Sequence, residues 1–147
     1  MAEARMRRQQ ELLRPDGPSY EIVLDECVIH RLAVPAHAMI NQLRHMIEVV
    51  STEERISVRV LPHDISIPGG FLAKSSFYLY TFHEPGDSPL AVVDTVTTDL
   101  VLTERNDVTQ YTGMYDRVRD AALSRNASIA FLGRVANRLT DQTGSET

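Results

Sequence analysis

The sequence predicts an α+β domain, a mostly antiparallel sheet of about five strands covered by helices. Three observations predict it. Residues 35–50 carry a clean amphipathic helical pattern. Residues 56–61 alternate like a half-buried strand, and three more β-rich runs follow before residue 104. Two helical patterns then close the chain, so the order is helix, strand, helix, four strands, two helices.

The elements follow in order. Residues 2–14 are strong helix formers with no Gly or Pro. Met6, Gln10 and Leu13 make only a narrow stripe, so this helix must pack on something. Pro15-Asp16-Gly17-Pro18 reads as a hinge. Residues 20–24 are β-branched and aromatic, and Asp25 is placed to end that strand and cap a short helical turn through Arg31. Pro35 suits the first position of the main helix, with Met39, Ile40, Leu43, Met46, Ile47 and Val50 on its apolar face.

Ile56, Val58 and Val60 face one way and Pro62 closes their strand. Residues 63–75 form a loop around Pro68-Gly69-Gly70. Residues 76–83 are apolar on both faces, which predicts an interior strand. Residues 84–87 form a turn, and residues 90–96 and 100–103 pair as a hairpin across Thr97-Thr98-Asp99. Asp107 and Gln110 have capping-box spacing for a helix to about Leu123. Ser124 is placed to cap a last helix with Ile129, Leu132, Val135, Ala136 and Leu139 inward, and residues 140–147 read as frayed.

Composition excludes several classes. Of 147 residues, 43% are hydrophobic and 24% charged, which argues for a packed core and against disorder. No apolar run reaches the roughly 18–20 residues of a spanning helix, so no membrane contact is predicted. The N-terminus is charged throughout, so no secretory leader is expected, and the single Cys27 fits a reducing cytoplasm. The net charge of −5 disfavours general phosphate binding. The basic side chains are arginine throughout except Lys74, and Arg5, Arg7, Arg8 and Arg14 make the leading helix basic. Salt-bridging of that helix to the acidic body is favoured over DNA contact, because no complete helix-turn-helix is readable.

Glu26 and Asp94 are the notable acids. On a straight strand Glu26 shares a face with Tyr20, Ile22 and Leu24, and Asp94 shares one with Val92 and Val96. A carboxylate on an apolar face has a raised pKa, and two facing one pocket serve as acid and base. The alternative is that Glu26 opens a helical turn and Asp94 pairs with an arginine, which is how buried charges are normally answered. Glu26 and His30, like Asn41 and His45, stand four apart, but neither pair resembles HExxH and no metal-ligand set is complete. His63, at the mouth of the glycine loop, is the best-placed histidine. Cys27 should stay protonated. Ser75-Ser76 lacks a nucleophile elbow, and Pro68-Gly69-Gly70 is no phosphate loop.

An ordered set of motifs points further. Arg5-Met6-Arg7-Arg8-Gln9 with Leu12-Leu13 resembles an R-x-x-R-Q helix. A strand ending in Asp25-Glu26 follows, then Gln42-Leu43, Val58-Arg59-Val60-Leu61-Pro62-His63, the glycine loop and Ser76-Phe77. Val92-Val93-Asp94, Tyr111 and Ala122-Leu123-Ser124 complete the set. Over residues 4–139 the chain resembles the C-terminal domain of unknown function of actinobacterial XRE-type helix-turn-helix, antitoxin-like transcriptional regulators. Asp94 stands where that family usually has glutamate, and the loop at 64–72 is atypical. A Pro-Gly-Leu-Leu-Gln segment before the leading helix is missing.

The resemblance implies a non-catalytic regulatory domain that binds a small partner protein or a small ligand, with no cofactor, no metal and no DNA contact by this chain alone. It implies three segments. Residues 1–18 are a helix and hinge left from the linker to a missing helix-turn-helix, residues 19–140 the regulatory domain, and residues 141–147 a disordered tail. Glu26, His63, Asp94 and Arg8 are the candidate ligand- or partner-binding residues. Two other readings stay open: a small-molecule enzyme using Glu26, His63 and Asp94, and a self-assembly module whose leading helix docks in a second copy to make a homodimer.

Overall fold

β1 (Tyr20–Asp25) and β2 (Ile56–Leu61) lie side by side and parallel in this computed structural model, which describes residues 18–30, 34–67, 76–82 and 88–144. Between them come α1 (Glu26–His30) and α2 (Ala36–Thr52). A parallel pair needs a crossover of a dozen residues or more, normally helical, and residues 26–55 supply it. The remaining strands, β3 (Phe77–Tyr80), β4 (Leu90–Asp94) and β5 (Asp99–Leu102), form a separate antiparallel sheet. α3 (Arg105–Ala121) and α4 (Arg125–Gly144) follow.

This corrects the expectation of one mostly antiparallel sheet of about five strands. The strands exist, but among the described residues they divide into a parallel pair and an antiparallel three. The strand–helix–strand order at residues 20–61 was the sign of parallel pairing. The leading helix, the hinge through Gly17, the glycines of the 63–75 loop and the turn at 84–87 lie outside the described residues.

The chain forms two compact units. The first holds residues 1–63 and 122–147; the second, residues 64–121, is inserted between β2 and the last helix. In the first unit, Ile40, Leu43 and Val50 of α2 meet Leu132, Val135, Ala136 and Leu139 of α4 over Val58 and Val60 of β2. Val60 and Leu132 are fully buried, each side chain contributing about 1.5–3 kcal/mol on burial. Pro35 stands at the N-cap of α2 rather than inside it. Arg125 closes the other end of α2, donating to the carbonyls of Val50 and Glu53.

β2 is paired by β1 on one side, and the start of α4 answers its other side. The Leu123 N–H donates to the Val60 carbonyl at 2.8 Å. The Val60 N–H donates to Ser128 Oγ at 2.9 Å, and Ser128 is fully buried. Arg59 Nε reaches the Leu123 carbonyl at 2.9 Å. Ser124 caps α4 as its sequence predicts, accepting the Ala127 N–H at 3.1 Å. α4 then runs through Gly144, past the expected fraying point.

Among the described residues of the second unit β4 is central and β3 lies at the edge, in place of the interior position read from residues 76–83. Ala91 and Val93 face inward, as does Phe77, whose ring meets Tyr111 of α3 edge-on at 5.0 Å. Tyr78, Tyr80 and Val101 face outward and are exposed. The apolar run was two-sided because this outer face is itself apolar. The β4–β5 hairpin forms, closed by the Thr95 N–H on the Thr98 carbonyl. α3 starts before the expected capping box: the Val108 N–H already bonds the Glu104 carbonyl, so Asp107 lies within the first turn.

Candidate functional site

The β1–α1 junction is built by two acids. Asp25 ends β1, and its Oδ1 accepts the Cys27 N–H at 2.9 Å, starting the helical turn. That turn carries Glu26 off the strand and into the interior, where it is 8% exposed. Glu26 Oε2 meets His30 Nε2 at 2.8 Å, one helical turn on. Its Oε1 takes His63 Nδ1 at 2.9 Å and the His63 backbone N–H at 3.3 Å. Both carboxylate oxygens are therefore engaged.

Burial pushes the Glu26 carboxyl up. The hydrogen bond from His30, the backbone N–H of His63 and the charges of the two imidazoles together outweigh it, so Glu26 is held below its ordinary value. This reverses the raised pKa that a strand position implies.

The network extends into α4. Arg138 Nη2 donates to His30 Nδ1 at 3.0 Å. His30 also meets the Phe131 ring edge-on at 6.2 Å, and Arg134 lies over the same ring. A shallow cleft of about 270 Å³ opens beside His30, floored by Ile29, Val135 and Leu139 and rimmed by Arg138.

Of the predicted residues, Glu26 and His63 come together. Asp94 belongs to the second unit, where it shares the outward face of β4 with Val92 and stands opposite Asp99. Val96 lies beyond the strand and is exposed. Among the described residues Asp94 has no arginine partner. Arg8 lies outside the described residues. His30 was visible through its spacing from Glu26, whereas Arg138 and Phe131 carry no local signal. Cys27 is exposed, not apolar-packed, and the hydrogen bond and charge of Asp25, with some desolvation and Glu26, raise its thiol pKa. Among the described residues no His, Cys, Asp and Glu group could hold a metal ion, and no helix is long and apolar enough to cross a membrane.

Fold and site together define a mixed α/β protein whose buried carboxylate is clasped by two imidazoles. Residues 1–134 match the family described as a domain of unknown function (DUF5753), and the chain belongs to that family. Neither a curated protein nor a solved structure matches it.

Proposed function

We propose that the chain is a non-catalytic regulatory domain that binds a small partner protein or small ligand, of the kind joined to XRE-type helix-turn-helix regulators in the cytoplasm. The observation that carries this reading is the occupancy of Glu26. A general acid or base must reach its substrate, and the Glu26 carboxylate is 8% exposed and engaged by His30 and His63. The network instead ties the β1–α1 junction to the end of β2 and, through Arg138, to α4. Such a lock suits a scaffold that presents a surface. The regulatory context rests on the ordered motifs of residues 4–139.

The test is a mobility shift at low salt, where nonspecific phosphate contacts are strongest. The full chain should retard no duplex sequence-selectively. Tight, selective binding would overturn the reading.

A further inference from the structure

The antiparallel sheet of the inserted unit has one face covered and one open. Phe77, Ala91 and Val93 point to the side on which α3 packs. The other side carries Tyr78 and Tyr80 of β3, Leu90 and Val92 of β4, and Val101 of β5. Strand register sets them in rows: Tyr78, Val92 and Val101 cross all three strands, with Tyr80 and Leu90 beside them. Tyr78, Tyr80 and Val101 are 40%, 44% and 57% exposed. The open face of an antiparallel sheet normally carries polar side chains, yet here every strand places apolar ones there. A contiguous exposed apolar patch marks an interaction surface.

Shape and charge say what fits it. Neighbouring strands lie about 4.8 Å apart, so three strands make a strip about 10 Å wide. A helix with its side chains is about 10–12 Å across, so the strip takes one helix. Beyond the Tyr78 row the face ends in Asp94 and Asp99, opposite each other across the β4–β5 ladder. Like charges so placed cost stability, and a cation seated over both reverses that cost. The same pair disfavours two other occupants. An anionic membrane surface is repelled by the two carboxylates. A second copy stacked by the same face brings two more acids and no base.

We propose that the outward face of β3, β4 and β5 docks a basic amphipathic helix of a partner protein. The apolar stripe of that helix lies over Tyr78, Tyr80, Val92 and Val101, and an arginine or lysine in its last turn lies over Asp94 and Asp99. A cation is also favoured in the last turn by the helix dipole, so the C-terminal end of the partner helix points to the acids. This names the partner surface of the regulatory domain and rests on that reading.

The probe is a synthetic helical peptide of about fourteen residues, about 20 Å long. It carries leucines at i, i+3, i+4 and i+7 spacing and two arginines in its last turn. It is titrated into the full chain while the amide resonances of Val92 and Val101 are followed by NMR. Saturable shifts at submillimolar peptide are expected. The same peptide with glutamates in place of the arginines should bind at least about tenfold more weakly. Val101→Thr should weaken binding with the fold retained, because Val101 is exposed. Asp94→Thr should raise the melting temperature by relieving the acid pair and yet weaken binding, a split that a merely structural role would not produce. The proposal is overturned by an absence of saturable shifts at millimolar peptide, by equal binding of the glutamate peptide, or by Asp94→Thr and Val101→Thr both binding like the parent. A dimer in sedimentation that Val101→Thr returns to monomer would also overturn it, since a second copy would then be the occupant. The mobility shift tests the regulatory reading separately, so the two failures are told apart.

Discussion

Glu26 and His63 are joined twice, by imidazole Nδ1 at 2.9 Å and by backbone N–H at 3.3 Å, across 37 residues of chain. The backbone bond fixes where His63 begins its loop, and the ring bond fixes how it turns. Glu26→Gln keeps the shape but removes the charge that both histidines answer. It should destabilise the fold by about 1–3 kcal/mol at neutral pH, read as a lower urea midpoint with an unchanged slope.

The same carboxylate predicts an acid limb of stability. Its folded pKa lies below its unfolded one, so the unfolded chain binds the proton more readily. The contribution is complete above the ordinary glutamate value, about 4.3, and is lost as pH falls through the lower folded value. Urea midpoints measured downward from pH 5 should fall more steeply for the parent than for Glu26→Gln.

Ser128 is a second lever. Its hydroxyl stands in for a strand neighbour by accepting the Val60 N–H in the core. Ser128→Ala leaves that donor unsatisfied and should cost about 1–3 kcal/mol. Hydrogen exchange at Val60 should accelerate more than at other β2 amides.

Asp94 and Asp99 face each other across the β4–β5 ladder, and like charges so placed repel. Asp94→Thr should therefore raise stability by about 0.2–1 kcal/mol. Thermal melts at low and high salt should show the gain shrinking as salt screens the pair.

Cys27 should react slowly despite its exposure, because Asp25 raises its thiol pKa and only the thiolate attacks. Asp25→Asn keeps an oxygen for the Cys27 N–H and removes the charge. Iodoacetamide alkylation at pH 8 should be several-fold faster in that variant.

Much of this was legible locally. The apolar face of α2, the alternation in β2, the Asp25 cap and the Ser124 cap are short-range patterns, and each appears where its residues place it. Sheet membership was not legible in the same way. Residues 76–83 look interior because Tyr78 and Tyr80 are apolar, yet aromatic side chains also suit an exposed edge strand, and alternation alone cannot separate the two. Glu26 opens the helical turn that the Asp25 cap predicts, so of the two readings of this acid the helical one holds and the strand face does not. Its partner His63 was readable beside Pro62, but Arg138, 108 residues from His30, is specified by tertiary packing alone.

The way the inserted unit leaves and rejoins its host has an evolutionary consequence. Val60 and Leu123 are hydrogen-bonded to each other just outside the two crossing points. The doorway is thus held shut by the host's own backbone, whatever passes through it. Residues 64–121 could be lengthened, exchanged or replaced by a short turn while β1, β2, α2 and α4 keep their packing. A lineage could then change what the guest segment recognises without redesigning the frame that carries it.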